Sequence, residues 1–529
     1  MRSAQVRSPA GRTSGSACFR TCVGSSLRPR PGAPKVSRVA TDLVEGPGWT
    51  GFGLQESAGR YPLRVETAVS RIVDQLLPGV ITTTRHARMY CVHALVWAEA
   101  RTAGLDENEG QDLARRCEAV IAAIYVLHEP HRIELSSAHG EDRIGLFLTD
   151  DSFDVVGAAA RGTGISQGGF AGVYQGPCVR LGALSGDSPP RPGPRADEGA
   201  LREGLDDLLD LARRDSVSTA ELRASTNLCL CGAADGADGR WLRRILVEQA
   251  EEGSAEDRQR QLTCLLLLDT LHEQPSSEPV RAFRERWAFG DPLGETASDD
   301  RAMVATLWRA AALRNYSVGA WRALWRWLAE QLNEEAMSAE RLGERLGDAL
   351  GDLTVGEMIA DLPARTNGVA LLPAEAAIAD EPWTPLSAVR QLATGAGRLE
   401  DLDEPTLKAF VGTDPQDLGP RWVAGLLEEW RDRPLRSLAD ELAVILVRRA
   451  KRVSLSKMYL TKDGKPFVPT RLRDRDGLLS VRGQEGAGDV ALRTDSLANV
   501  LAGLGVLTKD DTGAYAVTDY GEELRASLA

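Results

Sequence analysis

The chain has 529 residues, of which 43% are hydrophobic and 26% charged, and a formal net charge of −13. That length predicts roughly two to four domains at ~150 residues each, and no apolar run reaches the ~18–20 residues of a membrane span. An acidic body repels nucleic acid and acidic lipid at long range, so any DNA contact must come from a local basic patch.

Residues 1–45 read as a disordered basic leader. The first forty carry eight cations from Arg2 to Arg38 and no acid, with Ser, Gly and Pro filling most of the rest. No apolar segment follows them as in a secretory signal. A basic arm on nucleic acid is the alternative, but nothing here could bury a core. The eight cysteines (Cys18, Cys22, Cys91, Cys117, Cys178, Cys229, Cys231, Cys264) are thinly spread, which suits reduced thiols and a cytoplasmic location.

An N-terminal helical unit is expected over 46–184. Arg64 to Leu77 places Val65, Val69, Ile72, Val73 and Leu76 at helical spacing. The stretch Leu76 to Ala100, LLPGVITTTRHARMYCVHALVWAEA, organises the rest. Pro78-Gly79 makes a turn, Thr82, Thr83 or Thr84 is placed to cap a helix, and Met89 onward has almost no polar face. This predicts a helix buried on most sides, with Trp97 inside and Arg85 and Arg88 at its start as a candidate anion contact. Asp106 to Tyr125 gives a further helix, and 155–186 is dense in glycine.

Ser185 to Gly199, SGDSPPRPGPRADEG, reads as a linker. A central helical unit follows over 200–362, with a leucine run from Leu262 to Leu271 and tryptophans at 308, 321, 325 and 327. Trp321, Leu324, Trp325 and Leu328 follow i, i+3, i+4, i+7, so core packing accounts for them; an aromatic box for a base is the sharper alternative. Residues 363–435 read as a proline-punctuated connector and more helices.

In 436–529 the charge inverts. Between Arg436 and Arg482 twelve basic residues face five acids, a local +7. Such an excess is what phosphate neutralisation requires. The expected nucleic-acid contacts are Arg448, Arg449, Lys451, Arg452, Lys457, Arg471 and Arg473. Arg493 to Gly505 then reads as a short helix, VLTKDDTGAYAVT as a hairpin and TDYGEELRASL as a last helix. This order resembles the winged-helix pattern, in which the first of these helices enters the major groove. The resemblance implies base-facing roles for Arg493, Ser496 and Asn499. Few cations lie on that face and Asp510 and Asp511 occupy the wing tip, so mostly backbone contacts to double-stranded DNA are expected. The fold class is therefore mainly α, a multi-helical body in two units with a C-terminal winged-helix-like α+β domain.

No catalytic constellation emerges. The glycine cluster GISQGGFAGVYQG lacks a following GK[ST] and the strand–helix context of a dinucleotide site. His128-Glu-Pro-His131, taken with Cys117 and His139, matches no zinc spacing, and Cys229-Leu-Cys231 lacks a second pair. The expectation is no metal, no cofactor and no catalytic residue.

LLPGVITTTRHARMYCVHALVW resembles the opening motif of a poorly characterised bacterial family with a P-G-(S/T)-x-(I)-x-T-R-A-R-Y stretch closing on a tryptophan. Pro78, Gly79, Thr84, Arg85, Arg88, Tyr90 and Trp97 carry it. GFAGVYQGPCVRLGAL and ILVRRAKRVSLSKMYL are similar to that family's glycine-aromatic segment and basic helix. Such proteins occur beside restriction and phage-defence genes. The resemblance implies an accessory role: a non-catalytic DNA-binding or adaptor subunit of a multi-protein system, with protein partners and no membrane. A transcriptional regulator with a helical sensor body, and a nuclease with an acidic site built from scattered residues, are the rivals.

Overall fold

A computed structural model of the chain describes residues 61–529, apart from 130, 132–134, 136, 137, 162–170, 249–253, 291–297, 367–372, 415–417, 462 and 529. The expected leader, 1–45, and most of the 164–176 glycine cluster lie outside the described residues. Helices dominate: twenty-one α-helices are joined by four two-stranded antiparallel pairs among the described residues. None of these helices is long and apolar enough to cross a membrane.

The periodicities read from the sequence become helices with identifiable stops. α1 (Thr67–Leu76) buries Val69, Val73 and Leu76. α2 (Ala87–Ala103) is buried at every position from Ala87 to Ala100, Trp97 included, and ends at Gly104 in the left-handed region. The threonine cap is not made. Thr84 instead closes a turn on Ile81, accepting from its N–H at 2.9 Å and donating to its carbonyl at 3.0 Å, and His86 stands at the cap position without capping the helix through its side chain. α3 (Glu107–Leu127) opens on a capping box between Asp106 and Glu109, which satisfies orphan N–H groups of its first turn.

α2 packs against α3, the Glu198–Arg213 helix, the Ala237–Leu246 helix and the Thr494–Gly503 helix. Chain segments four hundred residues apart thus share one core, and all described residues belong to one compact unit. The two expected helical units are not separate bodies. The Ser185–Gly199 stretch is built into the fold: Ser185 N–H donates to the Arg191 carbonyl, Trp241 Nε1 donates to the Arg195 carbonyl at 2.8 Å, and Arg195 pairs with Asp257. Proline and glycine content marked irregular backbone there, but irregular backbone can still be fully bonded.

The tryptophan helix runs from Asp299 to Glu334. Trp308, Trp321 and Trp325 are buried as their spacing predicts, whereas Trp327 is only half-buried. At the C-terminal end the Leu435–Ser456 helix packs on the Ala339–Leu350 helix and leads into the Tyr459–Leu460/Pro466–Phe467 hairpin. The Thr494–Gly503 helix, a hairpin pairing Lys509 with Tyr515, and the Asp519–Leu528 helix close the chain in the expected order.

Candidate metal centre

α3 ends at Leu127, and His128 takes up extended backbone (φ −95, ψ 97). His131 stacks on Tyr125 of the last α3 turn, ring centroids 4.2 Å apart. About a hundred residues on, two short turns, Thr226–Leu228 and Leu230–Gly232, bracket Cys229. The fold presses this loop onto the end of α3. Cys231 Sγ lies 3.5 Å from His128 Nδ1, and Cys229 Sγ lies 3.8 Å from His131 Nδ1. All four donor atoms are within 4.8 Å of one another. A tetrahedral Zn²⁺ with Zn–S ~2.3 Å and Zn–N ~2.0–2.1 Å has S···N edges of about 3.6 Å. The four side chains therefore have the donor set, size and near-closed shape of a Cys2His2 zinc centre, with the thiols buried and the imidazoles half-buried.

This runs against the expectation that no ligand set has workable spacing. Each pair alone, His-x2-His or Cys-x-Cys, is half a tetrahedral set, and only tertiary packing joins them. The available signal was two incomplete pairs of the right donor types in one chain. Cys117 and His139 stand apart. Cys117 is in the core, its thiol pushed up by burial. His139 packs edge-on against His86 at 5.2 Å, and burial, then His86, lowers it to about 3.

Without an ion, the Cys229 thiol resists ionisation. The hydrogen bond shared with Cys231 pushes the Cys229 thiol up, and burial adds to it. A divalent cation between them inverts that balance, because it favours both thiolates.

The cysteine loop is gripped from behind by Arg88. Its guanidinium donates to the carbonyls of Asn227 at 2.5 Å and Cys229 at 2.6 Å. Its other face donates to both oxygens of Asp238, at 3.1 and 3.3 Å. The two side chains are 1% and 0% exposed. Gly232 and Gly236 make room for this clamp, since an added Cβ would sit 3.2 Å from Arg88 Nη1 and 2.1 Å from Asp238 Oδ1 respectively. Arg88 does meet an anion, but it is the chain's own Asp238, so Arg88 is not open to a ligand. Arg85 is exposed and donates to the Thr82 carbonyl at 3.3 Å.

The basic end divides in two. Arg448 and Arg452 are exposed on one stripe of the Leu435–Ser456 helix. Arg449, one residue away, is buried and donates to the Leu63 carbonyl at 2.6 Å. Lys451 pairs with Asp474, and Lys457 donates to the Tyr61 carbonyl at 3.1 Å. Arg471 bonds the Gln484 carbonyl and lies 3.6 Å from Glu485. Arg473 is half-buried. Arg493 reaches the Val80 carbonyl and Asp74. Ser496 and Asn499 are buried, Ser496 on the Thr82 carbonyl at 3.2 Å and Asn499 on the Tyr515 hydroxyl at 2.9 Å. Of the expected contacts, Arg448 and Arg452 are exposed, and the Lys451 side chain is partly exposed beside Asp474. The others were chosen by charge or helical phase, and neither records what the rest of the fold places over a residue.

The same helix exposes Leu455, and just past its end Met458, Tyr459 and Leu460 are exposed as well, the four at 54–68%. Protein-family models, curated proteins and solved structures show no match to the chain.

Proposed function

We propose that the protein is a non-catalytic DNA-binding or adaptor subunit of a bacterial multi-protein system, a setting in which anti-phage defence is our reading. The observation that carries it is the ridge Arg448–Arg452–Leu455–Met458–Tyr459–Leu460. Large apolar side chains exposed together beside cations mark an interaction surface. Two guanidiniums at i, i+4 supply phosphate contacts, and Tyr459 supplies a ring on which a base can stack. The metal set supports the non-catalytic part. It is the one group of three or more His, Cys, Asp or Glu side chains close enough to share an ion among the described residues. With four protein donors it leaves no open position for substrate, as structural zinc sites do.

In this reading the C-terminal helix, hairpin and helix form a winged-helix-like element turned inward, its first helix serving the core and not a groove. Duplex contact then falls on the Arg448–Leu460 ridge, with little base preference. A protein partner on the same ridge is the second reading, favoured by Leu455, Met458 and Leu460.

The test is a salt titration of duplex binding by the full-length protein and by R448A/R452A. The slope of log K against log salt should shrink by about 1.8 in the double variant, at ~0.9 for each phosphate no longer neutralised. R449A, K451A or S496A should leave that slope unchanged. Equal slopes for wild type and R448A/R452A would overturn the nucleic-acid reading. Absence of any duplex binding would assign the ridge to a protein.

A further inference from the structure

A cleft of about 510 Å³ opens between the Asp299–Glu334 helix, the Pro385–Gly397 helix and residues 487–489. That volume lies within the range of small-molecule sites. Its wall includes Tyr316, the half-buried Trp327 and Trp383, the last 47% exposed. Trp327 packs against the core and leaves part of its ring on this wall. Trp383 stands just before the Pro385–Gly397 helix, whose first turn is fixed by the reciprocal Thr384–Ser387 cap.

At the wall of this cleft sits Gln391. It is 6% exposed, and its Nε2 and Oε1, both enclosed, have no hydrogen-bond partner among the described residues, so the amide serves the cleft by turning toward it. Buried amides are nearly always paired, and one with both ends open is costly to keep. A group that can satisfy both ends must present a donor beside an acceptor. It must also be flat enough to lie against indole rings.

Charge narrows the class. Arg284 is held by Asp489 at 2.7 Å and Arg326 by Glu330 at 2.7 Å. Glu381, also on the wall, pairs with Arg390. The guanidiniums at this cleft are already neutralised, so a phosphate finds no uncommitted cation there among the described residues.

We infer that the cleft binds a nucleobase without phosphate, as a free nucleoside, through the Gln391 amide on its hydrogen-bonding edge and Trp327 and Trp383 on its faces. An adenine edge pairs bidentately with a glutamine amide, so adenosine is the expected ligand. The site is independent of the DNA ridge.

The experiment is calorimetric titration of the full-length protein with adenosine, guanosine, cytidine and uridine, with adenosine monophosphate, and with a short single-stranded oligodeoxyadenylate. Adenosine should bind one to one, and the monophosphate more weakly. W383A, a change at a half-exposed residue, should weaken adenosine binding tenfold or more. Q391L should abolish binding while raising the melting temperature of the ligand-free protein, because the unpaired amide is gone. Tighter binding of the oligonucleotide than of adenosine, lost in Q391L, would keep the nucleobase chemistry but overturn the free nucleoside as its source. No binding of any of these compounds, or adenosine binding unaltered in both W383A and Q391L, would overturn the assignment.

Discussion

The region around the candidate metal centre and the Arg448–Leu460 ridge use the same side chain to opposite ends. At Arg88 the guanidinium is enclosed, and its donors go to two carbonyls and a carboxylate that shape the cysteine loop. At Arg448 and Arg452 the guanidiniums stand in solvent beside exposed apolar residues. One set of cations is spent on the fold and the other is left in solvent. The difference lies in what the rest of the chain brings to each position. Arg449 makes the point most sharply, being buried between two residues of the same basic run.

The largest expected effect comes from the metal. The full-length protein should contain one zinc per chain, lost in H128A or C231S. For scale, structural zinc contributes an apparent ~10–16 kcal/mol in zinc-finger peptides; in a body with a large core the loss should be several kcal/mol. Elemental analysis and thermal unfolding with and without a chelator measure both. Stoichiometric zinc retained in C231S would break the assignment of the four ligands.

Next in size is the clamp. D238N should cost about 3–5 kcal/mol, because it leaves a buried guanidinium without its counter-charge. R448A, at an exposed site, should stay within ~0.5 kcal/mol. Urea unfolding of the two variants puts a number on the comparison. Similar losses in both would mean that Arg448 is as much a part of the fold as Arg88.

Much of the helical framework was legible because periodicity is local. α2 and its buried Trp97, the Asp106 start of α3, the tryptophan stripe and the closing helix–hairpin–helix order all follow from residues within one or two turns of each other. The site was not legible for the converse reason. His128 and Cys231 are 103 residues apart, and neither half-pair has a zinc spacing alone. The C-terminal helix failed differently. Arg493, Ser496 and Asn499 were placed outward by helical phase, but α2 and the Ala255–Glu273 and Pro279–Phe289 helices cover that element. An amphipathic pattern names the most apolar face; it does not say that the other face is bare. Trp327 and Gln391 carried no distinguishing signal, because a half-buried tryptophan and an unpaired amide are properties of a cleft.

The smallest expected effect concerns acid. Burial, then neighbouring His86, lowers His139 to about 3, with Arg85 and His93 acting in the same direction. An unfolded histidine titrates near ~6.5. Between these values the unfolded chain binds a proton that the folded chain does not, so stability is full above the unfolded value and falls as pH drops toward 3. One such group contributes a slope of at most about 1.4 kcal/mol per pH unit. H139F keeps an aromatic ring against His86 and cannot titrate, so it should flatten the stability profile between pH 4 and 6 by up to that amount. The candidate metal centre bears on this window, since metal affinity is itself pH-dependent. The comparison therefore belongs in chelator, with H139F measured against wild type under metal-free conditions. If the two profiles run parallel there, His139 is not held neutral by the fold. If they diverge only with zinc present, the acid sensitivity belongs to the metal centre.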